Sequence, residues 1–283
     1  MTARRVKAKH IENIVRDLCI QANTVLRPDV LKALVEVHRK AQKASLEEKM
    51  LGVLLDNAAL ARDKGVPLCQ DTGMLIVFVE IGEEVLVCDG SLKDAINKGV
   101  EAAYREGCFR KSVVGDPLTR KNTGTNTPAV IHADIVSGDK ITVSVMPKGF
   151  GSENKSRLNM LLPTCGPDEI TDFCVKAVKA AGPDACPPYI LGIGLGGTMD
   201  SCALLAKKAL LRPIDRPNPA PHIAELEERI KKEANALEVG VMGLGGAATV
   251  IGVNIDEAPT HIAGLPVVIN ISCHALRSAC AVI

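Results

Sequence analysis

The chain has 283 residues, a formal net charge of +1, 47% hydrophobic residues and only 2% aromatics, with no tryptophan. Near-neutral charge and scarce stacking rings argue against a nucleic-acid surface, and no apolar run is long enough to span a bilayer. A chain of this length buries roughly three-quarters of its unfolded surface, so the expectation is a core of Val, Ile, Leu and Ala and a small-molecule partner.

In chain order, Met1 to Lys9 is basic, but Glu12, Arg16 and Asp17 interrupt the stretch after it. A signal peptide's apolar region is therefore missing, and the expected location is the cytoplasm. Ile11, Ile14, Val15 and Leu18, then Val30, Leu31, Leu34 and Val35, then Met50, Leu51, Leu54 and Leu55 recur at helical spacing, which makes about 8–64 a helical portion. Ser45 and Glu48 form a capping-box start for the third helix. Met74 to Ile81 is a nearly continuous apolar run and reads as a buried strand. A helix opens at Ser91 and runs to about Arg105, and the polar stretch from Gly107 to Thr127 reads as a long loop.

Ala129–Ile135 and Lys140–Met146, separated by Ser137-Gly-Asp139, resemble a hairpin. Further elements are a helix from Pro167 to about Ala181, a strand Tyr189–Leu195, a helix Thr198–Leu211 and a helix Pro219–Leu237. Strands Ala248–Ile255 and Leu265–Ile271 complete the series. With no repeat, low-complexity tract or clear linker, residues 1–283 are expected to form one domain. Its class is α/β in the mixed α+β sense, a helical N-terminal segment followed by mixed sheets surrounded by helices.

Ten cysteines without a secretory signal are expected to be reduced thiols. No Cys-x-x-Cys pair occurs, so a bound metal would draw its ligands from distant segments. Cys69-Gln-Asp-Thr-Gly73 places a thiol, an amide and a carboxylate side by side at a strand entrance. The plainer reading of Cys69 is a core thiol, which Asp71 and Gly73 weaken. Lys148 and Lys155 bracket Gly149, Gly151 and Ser152, as a small-carboxylate site or an ordinary solvated turn would. Arg110 and Lys111 in the long loop are similarly open, an arginine fork being what a dicarboxylate wants. His261 and His274 could serve as acid–base or substrate-holding groups or be structural. Gly192-Ile-Gly-Leu-Gly-Gly197 literally matches a dinucleotide fingerprint. The Pro-rich segment around Asp215 and the lack of a second strand there speak against it.

Six motifs occur in an order similar to that of the class I, iron–sulfur fumarate hydratase and L-tartrate dehydratase family, specifically its alpha subunit. They are Cys69-Gln-Asp-Thr-Gly73, Asn122-Thr-Gly-Thr-Asn126, Lys148-Gly-Phe-Gly-Ser-Glu-Asn-Lys-Ser156, Ala185-Cys-Pro-Pro188, Gly194-Leu-Gly-Gly-Thr198 and Asn270-Ile-Ser-Cys273. The resemblance covers nearly the whole chain, with the fumarase branch favoured. It implies a 4Fe-4S cluster held by Cys69, Cys186 and Cys273 with one iron left open for substrate. It places Gln70, Arg110 and Gly151 around a dicarboxylate, and Asp71 and His261 in proton positioning or relay. Family members that work alone continue into a second domain, so the resemblance implies a separate beta subunit, which brings the base that removes the carbon-bound proton. An alpha-two beta-two assembly is the expected form.

The implied activity is interconversion of fumarate and (S)-malate. L-tartrate dehydration is the alternative, sharing cluster and chemistry and differing by one substrate hydroxyl. An NAD-dependent oxidoreductase built on the Gly192 loop and a non-catalytic iron–sulfur module are the rivals from other classes.

Overall fold

The computed structural model describes residues 3–283, and by their internal contacts these fall into two compact units. The first comprises the chain up to Arg27, Ala58–Phe150 and Arg277–Ile283; the second comprises Pro28–Asn57 and Gly151–Leu276.

In the first unit, strand β1 (Arg4–Lys7) leads into helix α1 (Ala8–Thr24). The strands β2 (Met74–Gly82) and β3 (Val85–Cys88), helix α4 (Leu92–Glu106) and strands β4 (Val130–Val136), β5 (Ile141–Lys148) and β10 (Ala279–Val282) complete it. The main sheet has the order β10-β5-β2-β4, and β1 pairs with β3 in a two-stranded ribbon. Alternation puts Leu75, Val77 and Val79 of β2 and Ile141, Val143 and Val145 of β5 on one face. They pack with Ile11 and Val15 of α1 and Ile96, Val100 and Tyr104 of α4 in a single buried cluster. Ser91 caps α4, its Oγ accepting the Asp94 N–H at 3.1 Å, which satisfies one of the N–H groups a helix start leaves over.

The expected hairpin does not form. β4 and β5 both pair with β2, the first parallel and the second antiparallel. β2 is apolar on both faces, which selects it for an interior position. The turn at Ser137–Asp139 folds over its end, where Gly82, Glu83 and Glu84 donate N–H bonds to the Lys140, Val136 and Gly138 carbonyls.

The second unit contains α2 (Pro28–Lys40), the first part of α3 (Leu46–Lys64), β6 (Arg157–Leu161), α6 (Pro167–Ala181), β7 (Tyr189–Gly196) and α7 (Met199–Ala209). It continues with α8 (Pro221–Asn235), β8 (Val250–Ala258) and β9 (Leu265–Ser272). The sheet order is β6-β9-β7-β8, with β7 parallel to β8 and antiparallel to β9. Leu191 and Ile193 point to the face covered by α6 and α8 and share its core with Cys174, Val178, Ile230 and Ile269. The alternate positions, Gly192 and Gly194, face α7. Both sheets mix parallel and antiparallel pairs, so the mixed α/β class holds. Among the described residues no helix is long and apolar enough to cross a membrane.

Gly194 shows why glycine is needed there. A Cβ on it would sit 2.1 Å from the Cys202 carbonyl oxygen and 2.8 Å from the Ala206 nitrogen, both backbone atoms of α7. Gly194→Ala is expected to push α7 off the sheet at a cost of about 1–3 kcal/mol. The measurement is the urea unfolding midpoint, and an unchanged midpoint would contradict so close an approach.

Four strands have no counterpart in the sequence reading: β1, β3, β6 and β10. Each is four or five residues long, too short for a periodicity to stand out.

Candidate active site

In the first unit the stretch from Pro67 to Gly73 runs from the end of α3 into β2 with no regular structure of its own, so its backbone groups are held by neighbours. The Leu68 N–H donates to the Asn23 carbonyl at 2.9 Å. The Thr72 hydroxyl donates to the Arg110 carbonyl at 2.7 Å. Tyr104, fully buried, donates its hydroxyl to the Thr72 and Gly73 carbonyls at 2.6 and 3.1 Å. Asn126 Nδ2 reaches the Gly73 carbonyl at 3.1 Å while its Oδ1 accepts the Ser112 N–H at 2.7 Å. The Asn122–Asn126 motif thus supports the Cys69–Gly73 motif. Gly73 has φ +76°, and a Cβ there would lie 2.8 Å from the Lys148 backbone, so only glycine fits.

Asp71 is the most constrained member of this loop. One carboxylate oxygen accepts the Gly73 N–H at 3.0 Å and the other the Phe150 N–H at 2.9 Å. The side chain therefore ties the loop to the start of the short helix α5 (Phe150–Glu153). Cys69 is half-buried with Sγ 3.4 Å from Gln70 Oε1, and Gln70 is exposed. Arg110 is exposed as well, and its carbonyl anchors Thr72. Gln70, Asp71, Arg110 and Cys69 accordingly belong to one loop system.

In the second unit Cys186 lies in the turn between α6 and β7, at φ +56°. Cys273 comes directly after β9. His274 joins them, its N–H donating to the Cys186 carbonyl at 3.3 Å and its Nδ1 lying 3.1 Å from that oxygen. The histidine beside Cys273 is therefore a clamp on the Cys186 turn. Both thiols are half-buried and close enough to Tyr189 that, after burial, their charges help push its phenol pKa upward. Tyr189 donates its hydroxyl to the Gly182 carbonyl and so braces the same turn.

The two lysines that bracket the glycines of the Lys148–Ser156 motif, read as a small-carboxylate site or a solvated turn, differ in their surroundings. Lys148 is buried, 2% exposed, and Lys155 pairs with Asp184 at 2.6 Å, two residues before Cys186. Glu153 is held by Lys207 of α7 and by Asn270 Nδ2, which also contacts the Ser156 hydroxyl at 3.0 Å. Glu153, Lys207 and Asn270 escaped the sequence reading as interacting groups, although two of them stand inside quoted motifs. Gly151 is exposed, and a Cβ there would lie 3.7 Å from the Asp184 carbonyl oxygen. His261 stands exposed on the loop from β8 to β9, where its Nδ1 accepts the Ala263 N–H at 3.2 Å.

None of the ten cysteines, all among the described residues, is in a disulfide. Within neither unit do three or more His, Cys, Asp and Glu side chains of the described residues form a group able to hold a metal. Cys186 and Cys273 lie in the second unit and Cys69 in the first. Half-buried cysteines outside disulfides are the soft donors that iron–sulfur groups require. The remaining core thiols are less suited: burial pushes Cys174 up to about 12 and Cys202 up to about 11, and a metal ligand must be a thiolate.

The Gly192 loop does not match a nucleotide site. Gly192 and Gly194 admit α7 against the sheet, and Asp215 pairs with Lys32 at 3.2 Å.

A family model described as Fumarate hydratase (Fumerase) matches residues 12–282. The matched family defines a hydro-lyase. More particularly, the chain belongs to the fumarate hydratase (Fumerase) family. It is 40% identical over 275 residues to a Methanocaldococcus jannaschii protein provisionally named L(+)-tartrate dehydratase subunit alpha, covering 95% of this chain and 96% of that one. It is 30% identical over 270 residues to the L(+)-tartrate dehydratase subunit alpha of Escherichia coli, and equally to that of Shigella boydii. Those matches cover 94% of this chain and 88% of each relative.

Proposed function

We propose that the protein is the alpha subunit of a cytoplasmic 4Fe-4S hydro-lyase acting on a four-carbon dicarboxylate, its two units serving as one catalytic domain. Cys69, Cys186 and Cys273 would hold the cluster. The observation that carries this is the His274 clamp, which sets two half-buried cysteines from distant segments on adjoining turns. When bound, the cluster would supply a Lewis acid that withdraws charge from a substrate carboxylate and eases departure of hydroxide.

The chain's own residues account for the rest. Arg110, Gln70 and the Gly151 N–H would hold the carboxylates, a positioning role that turns binding into orientation. Asp71 is pre-set for proton work: two backbone N–H donors fix its plane, and a carboxylate retains lone pairs beyond those two. His261, exposed on its loop, would hold or pass the second proton. The relatives' designation as alpha subunits supports a beta-subunit partner, which would complete the site.

L(+)-tartrate is the better-supported substrate, because the named relatives are tartrate dehydratase subunits over nearly the full chain. Fumarate and malate form the second reading, favoured by the family description and by the Gly151-Ser-Glu-Asn-Lys-Ser156 loop. The test is an anaerobic assay of the chain co-expressed with its beta subunit and reconstituted with iron and sulfide. Turnover is expected on L(+)-tartrate, with fumarate and malate poorer. The reverse order would restore the fumarase reading, and a loaded pair active on none of the three would leave an iron–sulfur module without hydro-lyase function.

A further inference from the structure

The buried charge that the proposed chemistry leaves unused is Arg277. It is 2% exposed and belongs to the first unit, between the Cys273 turn and β10. Nη2 donates to the Asp71 carbonyl at 2.9 Å and Nη1 to Asn23 Oδ1 at 3.3 Å. Nε is buried with no hydrogen-bond partner. Among the described residues no carboxylate forms an ion pair with it: its acceptors are a carbonyl and an amide. The Asp71 carboxylate, whose oxygens accept the Gly73 and Phe150 N–H groups, is a neighbouring negative charge outside ion-pair distance: Asp71 Oδ2 and Arg277 Nη2 lie 3.2 and 3.7 Å from where a Cβ on Gly149 would sit.

An arginine cannot escape this situation by losing its proton. A cation buried outside an ion pair is costly, and removing it from water is costly even with amide partners. Such a group is compensated when a further negative charge binds beside it. The position says which one. The guanidinium grips the backbone two residues from Cys69, from inside the loop, and is closed to solution. Arg110, by contrast, is exposed and accessible to a dissolved carboxylate.

We propose that Arg277 is the counter-charge and positioning residue for the anionic cluster bound through Cys69. Its hydrogen bond to the Asp71 carbonyl fixes the direction in which Cys69 is presented. Its positive charge, held outside any ion pair in a poorly screening interior, stabilises the thiolate-ligated cluster. This rests on the cofactor assignment proposed above. Net charge and hydrogen bonding near the sulfurs are what tune an iron–sulfur potential, so the reduction potential reports the charge independently of turnover.

The experiment uses the full chain with its beta subunit, reconstituted anaerobically, with iron and sulfide determined and the cluster potential titrated by EPR without substrate. Arg277→Gln is expected to shift the potential to more negative values and to lose iron faster in air. Arg277→Lys is expected to bring the potential back toward wild type while iron loss stays fast, because the charge returns and the fork does not. Asn23→Asp leaves Arg277 in place and sets a carboxylate against Nη1. It is expected to shift the potential negative as well, and it carries the test if Arg277→Gln does not fold.

Loaded Arg277→Gln and Asn23→Asp proteins with the wild-type potential would overturn the proposal. So would a lowered melting temperature with no change in potential, the mark of a purely structural arginine. A raised KM at unchanged potential would assign Arg277 to the substrate instead and overturn it too. A wild-type assembly that takes up no iron would sink the cofactor assignment itself, a result separate from any variant.

Discussion

Cys186→Ser and Cys273→Ser are each expected to yield a folded chain that retains no intact cluster and shows no turnover. Serine matches the size of the thiol, and both positions are half-buried, so the cost to the fold should stay within about 1 kcal/mol. The effect on the cofactor is of another order, because an alcohol at neutral pH is a poor substitute for the thiolate that iron requires. Cys174→Ser is the control. Cys174 is fully buried in the second core and held as a neutral thiol, so its variant should keep the cluster while losing stability, a hydroxyl in an apolar cluster being costly without a partner. Iron and sulfide content after anaerobic reconstitution, with melting temperature alongside, separates the two behaviours. Full cluster content in all of Cys69→Ser, Cys186→Ser and Cys273→Ser would end the cluster assignment.

Asp71→Asn should lower turnover about a hundredfold or more with the cluster retained, the scale of a lost general acid–base group. The structure adds a second consequence. Both carboxylate oxygens accept backbone N–H groups, and an amide offers only one acceptor while turning a donor toward the other N–H. One hydrogen bond is lost and a donor is left facing a donor, at about 1–3 kcal/mol. Loss of activity beside unchanged iron content and a modestly lowered melting temperature would fit proton work and loop bracing together. Full turnover would remove Asp71 from the chemistry and leave it the brace alone.

The helices of the first sixty-four residues and the strand at Met74 were legible because long periodic segments announce themselves: Ile11, Val15 and Leu18 fall on one face of α1 and are buried there. β10 was not legible, because four residues carry no period and its pairing with β5 depends on a partner more than a hundred residues away. The glycine run at Gly192 reads identically whether it cradles a phosphate or admits a helix. Only the backbone of α7, pressed against Gly192 and Gly194, decides between them.

At the candidate site, Cys186 and Cys273 were legible as motifs, yet their meeting through His274 was not. Nothing in the local sequence says that one ring will reach a carbonyl eighty-eight positions back. Arg277 had no signal at all, since burial is a property of what surrounds a residue.

Short-range periodicity and side-chain identity suffice to give the class of fold, the runs that become the main helices and strands, and the reactive residue types available for chemistry. Tertiary structure alone decided that β2 lies between β4 and β5, that Lys155 is taken by Asp184, that Asp71 is clamped by two N–H groups, and that Arg277 is enclosed outside any ion pair. The physical reason is that pairing, desolvation and charge balance are set by neighbours brought together from distant parts of the chain.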